Sequence, residues 1–279
     1  MVVGIALRLH HGQCLRQSCR HDPHNLRLHQ CIGFSARSRA RCLDRCYHVR
    51  MSLFHAEHIT LSYRCGGEAV TLLHDESFAL EAGSVYDLVG PSGVGKSTLL
   101  RACALMMERD TGELYLDGHP SSGFQPAAWR REVCLVPQQA SLVAGTVRDN
   151  LVLPWKLKVN AEMRSPSDDE LACLLEAADL SEVGLARDVS RLSGGQAARV
   201  ALLRAFATRP HVLLLDEVDA ALDDDSALAV GRLVHSFMNA RTTCLRIRHR
   251  ASDGFASGTF ALSDGVLSFA SAAEDGAIL

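Results

Sequence analysis

The amino-acid sequence predicts an α/β fold built on a mostly parallel central sheet, and three observations carry that prediction. From residue 54 onward, short apolar runs of strand character alternate with amphipathic helical segments. The strand-like residues 84–89 pass directly through a glycine-rich turn into a helical segment, the strand-to-helix step of a parallel crossover. Residues 212–215, Val-Leu-Leu-Leu, are apolar without alternation, which suits a strand covered on both faces.

In chain order, residues 54–61 alternate as a first strand and residues 77–80 continue as a second. Residues 84–89 form the strand before the glycine-rich turn, and a helix is expected from Lys96 to about Met107. Residues 112–116 read as a short strand closed by the Asp117-Gly118 turn, and residues 132–136 as another stopped by Pro137. Ser167 and Glu170 stand at capping-box spacing ahead of Leu171, Leu174, Leu175 and Ala178, which marks a helix start. A further helix begins near Gly194 and carries Val200, Leu203 and Ala207. Residues 259–262 and 266–269 flank Asp264-Gly265, a strong hairpin signal.

The 279 residues suffice for one large α/β domain or two small ones, and 47% hydrophobic with 22% charged residues is an ordinary globular composition. No run of eighteen uncharged apolar residues offers a membrane span. The net charge of −3 hides a split, because residues 1–50 contain nine Arg, no Lys and two Asp, leaving the remainder net acidic. Five of the ten Cys and six of the thirteen His also lie in that segment. Cys14, Cys19, Cys42 and Cys46 with His24, His29 and His48 could supply zinc ligands, though not at the close paired spacing of structural zinc modules. An Arg-rich, acid-poor transit sequence is a second reading. A secretory signal is excluded by Arg8, His10 and His11, which break the short apolar run. The third reading takes Met51 as the start of the folded protein, with residues 1–50 a disordered or artefactual extension before a single domain over 51–279. The later Cys65, Cys103, Cys134, Cys173 and Cys244 fall in expected elements and do not suggest a disulfide framework.

Chemistry concentrates in three segments. Gly90-Pro91-Ser92-Gly93-Val94-Gly95-Lys96-Ser97-Thr98 fits the phosphate-binding loop in full. Its glycines let the backbone curl so that successive N–H groups and the following helix N-terminus face phosphate oxygens. Lys96 would reach the β- and γ-phosphates, and the Ser97 hydroxyl would hold Mg²⁺. Leu213-Leu214-Leu215-Asp216-Glu217 ends a buried strand in two carboxylates, one able to hold the Mg²⁺ shell and the next able to orient or deprotonate water. Leu192-Ser193-Gly194-Gly195-Gln196 is by itself a flexible turn with a helix N-cap.

With that third segment 20 residues before Asp216, residues 53–270 resemble the ATP-binding cassette (ABC) ATPases. The resemblance runs through seven ordered motifs and implies a P-loop NTPase of ABC type, with an antiparallel β subdomain and a helical subdomain inserted at about 139–195. Gly90 to Ser97 resembles the Walker A motif, and residues 212–216 resemble Walker B with Glu217 as catalytic glutamate. Ser193, Gly194, Gly195 and Gln196 look like the signature. Tyr63 matches the aromatic that stacks on adenine, its alternative being a plain strand aromatic. Gln138 matches the glutamine that senses Mg²⁺, so the resemblance implies Ser97, Gln138 and Asp216 as Mg²⁺ ligands. Ala221-Leu222-Asp223 resembles the D-loop and His249 the switch histidine. An active ATPase is implied, working as a head-to-tail homodimer in which residues 193–196 of one copy close on ATP held by the other.

Three departures stand out. The customary Pro-Thr-Ser after the glutamate is Val218-Asp219-Ala220, and His249 sits between Arg248 and Arg250 where Thr and Asp are usual. Arg246 interrupts Cys244-Leu245-Arg246-Ile247, a strand that ought to be buried. Only 54 residues separate Gln138 from Ser193, too few for the coiled-coil arms of DNA-repair and chromosome-structuring members, so nucleic acid is not an expected partner. The expectation is a transporter ATPase at the cytoplasmic face of the membrane, joined to a separate integral membrane permease; a soluble mechanical or regulatory ABC ATPase is the alternative. Residues 145–155, ending in Pro154-Trp155, resemble the bacterial iron-export ATPases of the Fet/Ybb type, although Trp155 could equally be tucked into the helical subdomain.

Overall fold

The computed structural model describes residues 52–65, 68–139 and 141–272. The readings made for residues 1–50, zinc ligands included, lie outside the described residues. Two sheets organise the rest. Strands β1 (Phe54–Cys65), β2 (Glu68–Leu80), β4 (Thr111–Leu116) and β5 (His119–Pro120) form an antiparallel sheet in the order β2-β1-β4-β5. Strands β3 (Val85–Val89), β6 (Val133–Val136), β7 (Val212–Asp216), β8 (Thr243–Ile247), β9 (Gly258–Ser263) and β10 (Val266–Ser271) form the second, in the order β10-β9-β3-β8-β7-β6. All of its pairings are parallel except β10 on β9. The helices are α1 (Lys96–Cys103), α2 (Pro126–Glu132), α3 (Val147–Leu151), α4 (Asp168–Ala177), α5 (Gly194–Phe206) and α6 (Asp224–Phe237).

Every residue of β7 is buried, and its side chains alternate between two cores. Val212 and Leu214 join Leu99 and Leu100 of α1, while Leu213 and Leu215 join Leu203 and Phe206 of α5 and Val230 and Leu233 of α6. A period of two with both faces covered explains why the run is apolar throughout. The β9–β10 hairpin turns at Asp264 (φ 51) and Gly265 (φ 79), the two positive φ values that a primed turn needs. Both halves of the capping box anticipated at Ser167 and Glu170 are formed at the start of α4.

Helix α1 stops at Cys103, four residues short of the expected Met107. Met106 N–H donates to the Arg101 carbonyl and Leu105 N–H to that of Ala102, a Schellman closure with Leu105 at φ 52. Glycine usually announces that closure, and here leucine adopts it. Strand β2 begins at Glu68 and not near Ser77, because bulges in the β1–β2 ribbon break the alternation, with His58 and Asp75 at positive φ and 2.9 Å apart. Helix α6 carries no sequence expectation, yet Asp223 caps it by accepting from Ser226 N–H, and Ala227, Val230, Leu233 and Val234 bury one face.

Arg246 does not break β8. It stays in the strand, 4% exposed, opposite Asp87 of β3, with Nε donating to Asp87 Oδ1 at 2.6 Å. Its two terminal nitrogens grip Asp253 at 2.9 and 2.7 Å. Burial opposes the Arg246 cation, but the bonds to Asp253 and the Asp87 charge outweigh it and raise its pKa. Among the described residues, no helix is long and apolar enough to cross a membrane.

Candidate active site

Strand β3 ends at Val89, and the chain turns through Gly90 (φ 149), Gly93 (φ 80) and Gly95 (φ 109) into α1. Gly90 is required on two counts, since a Cβ there would also fall 2.3 Å from the Leu262 carbonyl oxygen of β9. The N-terminus of α1 has no side-chain cap and no acidic residue in its first turn, so its N–H groups and dipole favour an anion. Lys96, 5% exposed, donates from Nζ to the Gly90 and Pro91 carbonyls at 2.9 and 3.0 Å, arching back over the loop.

Strand β7 delivers Asp216 to the same place, and Ser97 Oγ donates to its Oδ1 at 2.8 Å across 119 residues of sequence. Glu217 follows in the left-handed region at φ 51, a conformation that turns the chain sharply at the strand end. Its Oε2 accepts from Gln138 Nε2 at 3.0 Å, and its Oε1 lies 2.7 Å from His249 Nε2. Gln138 reaches this point because β6 stops at Val136 before Pro137, and His249 because β8 ends at Ile247. The ends of four parallel strands therefore bring Lys96, Ser97, Gln138, Asp216, Glu217 and His249 together, the expected place for ligands in an open α/β sheet.

Tyr63 stands apart from that group. It is an exposed residue of β1 opposite Val70 of β2, and two residues further along β2 Leu72 packs on Gly95 with its Cβ 3.1 Å from a Cβ built there. The antiparallel sheet thus abuts the loop, with the Tyr63 ring presented to solvent beside it. Ser193 caps α5 in a reciprocal box, accepting from Gln196 N–H at 3.2 Å while its own N–H donates to Gln196 Oε1 at 3.0 Å. Gln196 Nε2 also donates to Glu182. Gly195 leaves no room for a side chain, because a Cβ would sit 2.7 Å from Ser226 Oγ at the start of α6. Trp155 is half-buried with Nε1 donating to the Arg164 carbonyl at 3.0 Å.

Sequence reasoning singled out no role for Asp87, Asp219 or Asp253. The one available signal was the arginines themselves, since a guanidinium buried in a strand demands carboxylate partners.

The family model described as ABC transporter matches residues 73–220. The protein of Escherichia coli strain K12 named "Probable iron export ATP-binding protein FetA" is 34% identical over 167 residues, covering 60% of this chain and 72% of that protein. The ATP-dependent lipid A-core flippase of Xanthomonas campestris pv. campestris strain 8004 is 37% identical over 199 residues, 68% of this chain, which spans 32% of the flippase. Among solved structures, a dimeric ATP-binding cassette in a post-hydrolysis state with ADP and Pi superposes with a TM-score of 0.67 at 27% identity. It covers 78% of this chain and 98% of its own.

Proposed function

This chain belongs to the ABC transporter family as an ATP-hydrolysing cassette, and from that premise we propose a role for each site residue and a transport process for the whole. One observation carries the residue roles: the Glu217 carboxylate is held between the Gln138 amide and the His249 ring, next to the Ser97–Asp216 pair. Lys96 and the N–H groups of residues 90–98 take the phosphate oxygens of ATP, with Lys96 exchanging its loop carbonyls for the β- and γ-phosphates. Ser97, Gln138 and Asp216 offer hard oxygen donors of the kind Mg²⁺ accepts, and the bound ion supplies charge neutralisation at the phosphates. Glu217 orients the attacking water and takes its proton, while His249 reaches toward the γ-phosphate. Tyr63 stacks on adenine.

Two copies pair head to tail, the 193–196 turn of one meeting the ATP held by the other. What supports this is a helix N-terminus whose exposed Gly194 puts no side chain in the way of an approaching anion, together with a solved relative that is a dimer. The cassette drives a separate integral membrane permease from the cytoplasmic face of the membrane. Iron export is the proposed process, supported by the name of the E. coli relative and by the 145–155 segment. The test is reconstitution of the full chain with a candidate multi-span permease in vesicles whose cassettes face the medium, with ferrous iron and Mg-ATP supplied outside. ATP-dependent accumulation of iron in the lumen is the expected result; ATP turnover with no iron accumulating would reject iron as cargo.

A further inference from the structure

Two departures from the family pattern around Glu217 and His249, Asp219 and Arg248, are each other's partners. Arg248 Nε donates to Asp219 Oδ2 at 3.0 Å, both side chains being less than a tenth exposed. Arg250 donates from Nη1 to Asp224 Oδ1 at 2.5 Å and from Nη2 to the Leu222 carbonyl. Between the two arginines, His249 Nε2 lies 2.7 Å from Glu217 Oε1. Three consecutive residues after β8 are thus joined, one by one, to the segment that leads from β7 into α6.

The far side of Arg248 faces a second carboxylate. Its Nη1 lies 2.8 Å from Asp253 Oδ2, and Asp253 is gripped at both oxygens by Arg246. Arg246 in turn holds Asp87, three residues before Gly90 on β3. Gly231 of α6 makes room for this cluster, since a Cβ there would fall 2.6 Å from Asp253 Oδ2. Arg246 holds its two carboxylates by hydrogen bonds, whereas Arg248 Nη1 is buried against Asp253 without a hydrogen-bond partner, so Arg248 is tied chiefly through Asp219.

We propose that Arg248 and Arg250 are positioning residues: with Asp219 and Asp224 they clamp residues 217–224 to residues 248–250 and so fix Glu217 against His249. The proposal rests on the roles given above to Glu217 and His249. Neither arginine is assigned to nucleotide. At positions 248 and 219 the family pattern has threonine twice, and this chain has a matched pair of opposite charges instead.

The test uses the full chain in five forms: wild type, Arg248→Thr, Asp219→Thr, the double variant Asp219→Thr/Arg248→Thr, and Arg250→Ala. Steady-state ATP hydrolysis gives kcat and KM, and hydrogen exchange of nucleotide-free protein reports on the amides of residues 217–224. Arg248→Thr leaves the buried Asp219 carboxylate without its partner and Asp219→Thr leaves Arg248 facing only Asp253, so in each single variant kcat falls about tenfold with KM within about twofold, and exchange in 217–224 rises. The double variant replaces the charged pair by the two threonines of the family pattern, a neutral pair that can take over the contact, and recovers kcat to within about threefold of wild type, with exchange restored. Arg250→Ala removes a pair at the surface without threatening the fold; kcat falls about threefold with KM unchanged. Single variants that lose melting temperature but keep kcat, a double variant no better than the worse single, or unchanged exchange in 217–224 would each overturn the clamp. If the threonine singles fail to fold, Arg250→Ala decides, and unaltered kcat and exchange overturn the proposal. Glu217→Gln in the same assay separates the two readings: turnover at the wild-type rate would sink the catalytic assignment, whereas exchange and rescue judge the clamp.

Discussion

The loops at 90–98 and 217–224 both follow strands of one parallel sheet, yet they are held by opposite means. The first is shaped by backbone: three glycines at positive φ, carbonyls that receive Lys96, and a helix N-terminus left open. The second is shaped by side-chain charge, with Asp219, Glu217 and Asp224 tied to Arg248, His249 and Arg250. A backbone-shaped loop can be read from a contiguous stretch of sequence. A charge-shaped loop cannot, because its partners lie 26 to 32 residues away and meet only once β7, α6 and β8 have packed.

The largest effect is expected in the backbone-held loop. Lys96→Ala removes the cation that the loop aims at the phosphates, and turnover should fall by on the order of 10²–10³ with weakened ATP binding, measured by steady-state hydrolysis and equilibrium titration. Unchanged turnover and affinity would break the comparison at its firmer side.

The next largest effect belongs to the charged network. Burial alone would raise the Asp253 carboxyl, but the hydrogen bonds and charge of Arg246, the hydrogen bond from the Phe255 N–H and the charge of Arg248 outweigh burial and hold the carboxyl below its ordinary range. A depressed native pKa means that this stabilisation is present above the unfolded value of about 3.9 and is lost as pH falls through the lower native one. Asp253→Asn should cost about 3 kcal/mol in denaturant unfolding at neutral pH and should flatten the acid limb of the stability profile. A cost under about 1 kcal/mol, with the acid limb intact, would show that the network does not hold this region.

Smaller effects sharpen the contrast. Gly195→Ala should lower stability by about 1 kcal/mol, because the new methyl displaces Ser226 from its bonds to Asp223 at the start of α6, a change visible in the melting temperature. Tyr63→Ala should be smallest, about 1 kcal/mol in ATP affinity with kcat preserved, since it removes stacking and leaves every phosphate contact in place.

Much of the fold and of the site could be read before the structure. The parallel sheet, the loop into α1, the Ser167 and Ser193 caps and the Asp264-Gly265 hairpin all follow from local rules of periodicity, capping and turn chemistry. Three features escaped for identifiable reasons. Helix α1 ends through Leu105 in a conformation normally signalled by glycine. The β1–β2 ribbon bulges at His58 and Asp75, so its alternation fails where the strand continues. Arg246 looked like a defect in a buried strand because its carboxylates, Asp87 and Asp253, come from β3 and from a loop beyond the strand. What local sequence specifies was legible, and what tertiary pairing specifies was not.

The claim that joins the two loops is that they serve one ATP, with Glu217 from the charge-held loop acting on phosphates bound by the backbone-held one. Glu217→Gln tests it most directly, because the amide keeps the shape of the side chain and loses its charge and its capacity as a base. With Mg-ATP, the variant should bind nucleotide at wild-type affinity, lose hydrolysis, and elute as a dimer on size-exclusion chromatography. Adding Ser193→Trp should return it to monomer while ATP remains bound. Hydrolysis by Glu217→Gln at the wild-type rate would contradict the account.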